Sequence, residues 1–331
     1  MTSKQTIRWG VLGCGGIAKK FIASSKVVET AEVVAVASAS GNKAQAFADE
    51  QGVGIGYSGY DALLEDPSVD AVYVANTHNF HHDTVLKALK ADKAVLCEKP
   101  MAINAKQTKE MIDLARERNL FLMEAMWTRY LPSVVQMRKW IEEGRIGKPR
   151  RVYANFGLRM SFPPESRMVN PDLAGGALLD LGIYPLSLAS MIASGAVPKK
   201  VFSIVGKGET GVDVDDLIML SYEDGLGAQL SCGLEVPVRC YAEVVGEKGT
   251  ITLPHLFIGA NSVTLKTDEE EQTFNYDFPE IEGFRFEVEE ACKCLLNGEK
   301  ESSIMPLDET LVLAQTMDLI RADCGLKYPG E

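Results

Sequence analysis

Over the first 125 residues of this 331-residue chain, apolar β-branched runs alternate with helical patterns, and that alternation restricts the fold more than any other feature. The runs fall at residues 7–12, 32–37, 71–75, 94–97 and 121–123, with helical patterns near 17–25, 43–50, 84–90 and 105–118. Strands apolar on both sides of the pleat need cover on both faces, which helices between parallel strands supply. Right-handed crossovers then give a doubly wound α/β domain.

After Arg129 the pattern changes. A helix at 133–143 and a break at Gly147-Lys148-Pro149 lead into a strand at 151–156; a Pro-containing loop follows, then a helix at 176–194. Strands at 201–205, 217–222, 227–232, 241–245 and 250–253 succeed one another without helices between them, and helices at 285–296 and 307–324 close the chain. Such succession predicts an open, mainly antiparallel sheet in an α+β domain. The expected division is 1–125 and 126–331, with the last helix free to pack back on the first domain, because a chain of this length exceeds one ordinary core.

A net charge of −12 argues against a nucleic-acid partner, which needs clustered Lys and Arg. The acidic run Asp268-Glu269-Glu270-Glu271 reads as a solvated turn between strands. Seven cysteines without C-x-x-C spacing form neither a disulfide framework nor a zinc site, and reduced thiols fit a cytoplasmic protein. The opening MTSKQTIRWG lacks the long apolar segment of a signal peptide, so none is expected, and no window is expected to span a bilayer.

Directly after the first strand, VLGCGGIAKKF sets Gly13, Gly15 and Ala18 in a G-x-G-x-x-A pattern, with Gly16 and Ile17 opening the helix. The glycines permit a tight turn and close approach of a pyrophosphate, whose charge the helix N-terminus stabilises. The second strand ends in VASASGNKAQ without the acid that receives the ribose hydroxyls of NAD. Ser38, Ser40 and Lys43 there suit a 2′-phosphate, so NADP is favoured and NAD remains open. Thr77 and Asn79 follow the strand at 71–75, where strand ends face a ligand crevice. His78, His81 and His82 have no acidic or cysteine partners at ligand spacing, and no metal is expected.

The next strand ends in Cys97-Glu98-Lys99-Pro100, placing Lys99 at the same edge; on spacing alone a solvated surface pair fits equally well. In the second domain, AGGALLDLGIYPLSLASMI sets Asp180 and Tyr184 four residues apart, on one helix face. An ammonium beside them would complete an acid–base relay.

With the glycine loop, CEKP, LFLMEAMWTRYLP and GGALLDLGIYP in this order, the chain resembles the Gfo/Idh/MocA oxidoreductases over its whole length, and most of all their dihydrodiol and D-xylose:NADP dehydrogenase branch. The resemblance implies an N-terminal Rossmann domain and a homodimer formed through the C-terminal sheet. It implies catalytic roles for Lys99, Asp180 and Tyr184, cofactor contacts from Glu98, Lys99, Trp127 and Arg129, and an aromatic substrate pocket including Trp127 and Phe156; Phe257 is a further candidate. The arginine that many NADP-using relatives carry after the second strand is absent. The expected activity is an NAD(P)-dependent dehydrogenase acting on CH–OH or CH–CH donors in a sugar, cyclic polyol or trans-dihydrodiol, a small-molecule substrate handled without membrane or nucleic acid. Tyr184 or Lys99 would carry the proton and Asp180 would orient both. A non-catalytic dinucleotide sensor or scaffold is the alternative.

Overall fold

The computed structural model describes residues 6–39, 43–235, 238–279 and 283–329, which form two compact units. The first comprises residues 1–102, 106–127 and 281–307. It holds β1 (Ile7–Leu12), α1 (Gly16–Ser25), β2 (Ala31–Ser38), α2 (Ala44–Gln51), β3 (Ile55–Ser58), α3 (Tyr60–Leu64), β4 (Ala71–Val74), α4 (His81–Lys90), β5 (Ala94–Glu98), α5 (Ala105–Glu117) and β6 (Leu122–Ala125). The strands pair in parallel in the order β3-β2-β1-β4-β5-β6. Strand order therefore reverses between β1 and β4, where an open α/β sheet leaves its ligand crevice. β4 and β5 are buried along their full length, as continuous apolar strands must be.

The second unit comprises residues 103–105, 128–280 and 308–331. It holds α6 (Pro132–Glu142), β7 (Pro149–Gly157), α7 (Ile183–Ile192), β8 (Lys200–Lys207), β9 (Asp213–Ser221), β10 (Gly227–Gly233), β11 (Tyr241–Gly246), β12 (Gly249–Leu253), β13 (Ser262–Thr267) and β14 (Glu271–Asn275). Its eight strands run β14-β13-β12-β11-β7-β10-β9-β8, antiparallel except for the β7–β10 pair. One sheet face, with Val152, Ala154, Leu230 and Val244, is buried; α7 packs against β7 and β10. The acidic run lies at the turn from β13 into β14, where Thr267 Oγ1 accepts from the backbone N–H groups of Glu269 and Glu270.

Of the closing helices, α8 (Arg285–Asn297) belongs to the first unit, where it packs on α1, β1 and β2 through a face that includes Val288 and Ala291. α9 (Leu307–Cys324) lies almost wholly in the second unit. One sequence expectation needs correction. Residues 171–192 are long and apolar enough by composition to cross a bilayer, but nearly all of that segment is buried as the core of the second unit. The seven cysteines are free thiols.

Candidate active site

In the first unit the glycine loop is built from two opposite constraints. Gly13 has φ +122°, and a Cβ there would stand 2.7 Å from the Ala75 carbonyl, so only glycine lets the loop pass the end of β4. At Gly15 and Gly16 an added Cβ would meet nothing within 4 Å. α1 begins there without a side-chain cap and without an acid in its first turn. Its first N–H groups and positive dipole end thus face open space, an arrangement that fits a pyrophosphate. Ile17 is half-buried and Ala18 buried, which seats the helix on the sheet.

Around the same edge, Ser38 is buried and its carbonyl accepts from the Gly59 N–H at 2.8 Å. Ser40 lies outside the described residues. Lys43 is exposed in front of α2. Thr77 and Asn79 are half-buried between β4 and α4, and Asn79 Oδ1 has no hydrogen-bond partner among the described residues.

Lys99 follows β5 on a turn with a cis Lys99–Pro100 bond, and it is half-buried. Neighbours on both sides clamp this turn. His81 Nδ1 lies 2.8 Å from the Pro100 carbonyl and Nε2 lies 3.1 Å from that of Asn76. Burial, and then His78, push the His81 imidazole down to about 4; the Lys99 ammonium acts in the same direction. His81 is therefore neutral near pH 7, a structural tie rather than a proton donor. From the β6 side, Glu124 Oε1 accepts from the Met101 N–H at 2.9 Å.

The Glu98 carboxyl points into the unit rather than out of it. It accepts from the Tyr73 hydroxyl, and its Oε2 accepts from the Lys99 N–H at 3.2 Å. Tyr73 stacks on Phe21 with ring centroids 3.9 Å apart. Glu287, on α8, is fully buried, and burial followed by the charge of Glu98 holds it well above the usual carboxylate range. Trp127 stacks on Phe284 at 4.4 Å, and the Lys20 ammonium stands 5.2 Å from the Phe284 ring centre.

In the second unit the helix expected at 176–194 is not uniform. Residues Leu178–Gly182 form a π-helical turn and α7 starts at Ile183. Pro185 supplies the reason: it has no N–H for the Leu181 carbonyl, and its ring crowds that carbonyl, so the preceding turn widens. Asp180 sits in the widened turn and Tyr184 in the first turn of α7, both almost buried. Phe156 meets the Tyr184 ring edge-on at 5.4 Å. Arg167 Nη1 lies 3.4 Å from Asp180 Oδ1, which keeps a cation beside that carboxylate. The loop after β7 and the β8–β9 turn enclose a hollow of about 520 Å³, lined by Arg159, Phe162, Val169, Glu209 and Glu235 among others.

Arg129, for which the resemblance implies a cofactor contact, lies in the second unit. It is 2% exposed. Its Nε donates to Ser187 Oγ at 2.8 Å, and Nη2 donates to the Ser187 carbonyl at 2.7 Å and to Glu309 Oε1 at 2.6 Å. The guanidinium ties α7 to α9 inside the second unit. Phe257 is wholly buried, a core side chain.

Residues 7–126 match the family model described as "Oxidoreductase family, NAD-binding Rossmann fold", and residues 134–252 match the "GFO/IDH/MocA C-terminal domain". This chain belongs to the Gfo/Idh/MocA oxidoreductase family. It is 34% identical over 330 residues to the trans-1,2-dihydrobenzene-1,2-diol dehydrogenase of Homo sapiens and 35% identical over 332 residues to that of Mus musculus, covering 98% of each chain in both cases. Among solved structures it is similar to KijD10, a 3-ketoreductase from Actinomadura kijaniata in complex with NADP and TDP-benzene, with TM-score 0.85 and 28% identity over 96% of this chain and 98% of that one. Levoglucosan dehydrogenase shares the fold, with TM-score 0.87 at 18% identity over 97% and 98%. As a Gfo/Idh/MocA protein the chain is a dinucleotide-dependent oxidoreductase with an NAD-binding Rossmann domain.

Several supporting residues of this family member carry no signal in sequence. Tyr73 and Glu287 are ordinary strand and helix positions until the fold sets them against Glu98. Arg167 comes from a Pro-containing loop, and nothing in its spacing pairs it with Asp180. His81 stood out in sequence, but its two carbonyl partners did not.

Proposed function

We propose that this enzyme moves a hydride between NADP and a secondary alcohol or carbonyl of a sugar, a cyclic polyol or a trans-dihydrodiol. The observation that carries the reading is the Asp180–Tyr184 pair at the start of α7, with Phe156 against the phenol and Arg167 against the carboxylate. The full-length similarity to dihydrodiol dehydrogenases supports the substrate class. The acid-free end of β2 and exposed Lys43 support NADP over NAD.

Gly13, Gly15, Gly16 and Ile17 would hold the pyrophosphate, Ser38, Ser40 and Lys43 the ribose end, and Thr77, Asn79, Glu98 and Trp127 the nicotinamide end. When bound, the nicotinamide supplies the hydride acceptor or donor. Tyr184 takes the hydroxyl proton during oxidation and returns it during reduction. Lys99 polarises the substrate oxygen, and Asp180 orients the phenol. Trp127 and Phe156 give the substrate apolar walls. In a second scheme Lys99 carries the proton and Tyr184 only positions it. A basic limb of the pH–rate profile that persists in Tyr184→Phe favours Lys99; its loss favours Tyr184.

The sheet face opposite the core supports a homodimer. Phe202, Ile204, Leu217 and Met219 are 54–57% exposed and pair in register as Phe202–Met219 and Ile204–Leu217. A contiguous apolar patch of that kind fits a second copy of the same sheet. Seven free thiols support a cytoplasmic location. The test is a panel of sugars, inositols and trans-dihydrodiols followed by nicotinamide absorbance, with NAD and NADP measured separately. Turnover of one class with NADP is the expected result. A strong NAD preference contradicts the cofactor assignment, and no turnover of any class contradicts the substrate assignment.

A further inference from the structure

The second unit buries two carboxyls that the proposed chemistry does not use. Asp213 and Asp216 on β9 are both 0% exposed. In a regular strand, positions three apart point to opposite faces, but the register with β8 slips here, with Asp215 opposite Gly206 and Asp213 opposite Lys207. That bulge turns both side chains inward. Asp213 Oδ2 accepts from the Leu178 N–H at 2.5 Å. Gly176 has φ +138°, and a Cβ there would stand 2.1 Å from Asp213 Oδ1, so the glycine makes room for this contact.

Asp216 Oδ2 accepts from the Cys232 thiol at 3.3 Å. The Asp213 and Asp216 carboxyls lie close enough for the charge of one to act on the other. Among the described residues, no N–H or hydroxyl donor reaches the Oδ1 atom of either. Two carboxylates cannot bond to each other without a proton, and two buried negative charges side by side are prohibitively costly. Asp213 has the backbone donor, which favours its charged form; Asp216 is left to hold the proton.

We propose that Asp213 and Asp216 are positioning residues: sharing one proton, the pair seats the π-helical turn at Leu178–Gly182 and so sets where Asp180 and Tyr184 stand. The catalytic part of this inference rests on the proposed function. Burial, and then the charge of Asp213, push Asp216 up to about 9, so the shared proton persists across the neutral range. The other titratable groups facing the pair are Asp215 on the same strand, Cys232 on β10 and Cys324 on α9. Asp215 adds negative charge and burial holds both thiols up, so none of them supplies a cation to replace the proton.

Two variants test the pair. In Asp216→Asn the amide donates the same hydrogen bond with no proton to lose, so kcat at neutral pH stays near the wild-type value. In Asp213→Asn an amide donor can face the Leu178 N–H group, and kcat falls about 10²-fold, the scale of a roughly 1 Å misplacement. The dinucleotide Kd, which depends on the first unit, is unchanged in both. Folded Asp216 binds its proton up to about pH 9 and the unfolded group only to about pH 4, so wild-type stability falls as pH rises between them. Asp216→Asn lacks that loss: its Tm minus the wild-type Tm grows over this window and levels off above it. A flat Tm difference overturns the shared proton, and unchanged kcat in Asp213→Asn overturns the seating. Full activity in Tyr184→Phe and Asp180→Asn is a separate result that overturns the site reading instead.

Discussion

The two units hold their functional side chains by different means. Lys99 stands at the end of a strand buried inside a parallel sheet, and its turn is held by the neutral His81, whose single N–H can donate to one of the two carbonyls beside it, and by Glu124, which accepts from the Met101 N–H. Asp180 and Tyr184 stand at a helix start that a buried carboxyl pair on an antiparallel strand holds in place. Topology does most of the positioning in the first case, because every parallel strand must deliver its end to the same edge. In the second case topology supplies only a helix lying on a sheet, and buried polar groups fix the rest.

That contrast can be broken at several points. The largest effects are expected at the proposed reacting groups: Lys99→Ala and Tyr184→Phe each lower kcat by about 10²–10⁴-fold in steady-state assays, the usual contribution of a positioned proton-transfer group. Next comes the clamp. The His81 pKa is depressed on folding, so its stabilising effect is present above about pH 6.5 and lost as pH falls towards about 4. Up to about 3 kcal/mol is at stake across that window. His81→Gln, unfolded by urea at several pH values, should lose less stability on acidification than the wild type.

Smaller effects separate fold from binding within the glycine loop. Gly13→Ala forces a Cβ against Ala75 at a positive φ and lowers stability by about 1–3 kcal/mol in urea melts. Gly15→Ala meets open space, so its stability changes by less than about 0.5 kcal/mol while dinucleotide binding weakens about tenfold or more in titrations. The smallest effect on turnover is expected from Phe202→Lys with Met219→Lys, which exposes charge on the open sheet face and yields monomers in light scattering.

The sequence made the first unit more legible than the second for the same physical reason. Continuous apolar strands announce burial on both faces, and five of the six were readable. β3 was missed because it is four residues long, half-exposed, and contains Gly56 tucked against the backbone of Gln45. In the second unit β13 and β14 carry Ser, Thr and Gln on a half-exposed face, and their alternation is weak. Helical periodicity located α8 but did not say that its apolar face packs in the first unit. Lys99, Asp180 and Tyr184 stand out as candidates in the sequence because charged or phenolic groups at the ends of apolar elements demand an explanation. Their supports, Glu287, Arg167, Asp213 and Asp216, become partners only through tertiary packing.

The most direct test of the account is a double-mutant cycle on kcat/KM with Lys99→Ala, Tyr184→Phe and both together, using trans-1,2-dihydrobenzene-1,2-diol and NADP. If Lys99 and Tyr184 serve the same proton transfer, the double variant is about as slow as the worse single variant. Losses that multiply, or a Tyr184→Phe enzyme as fast as the wild type, would contradict it.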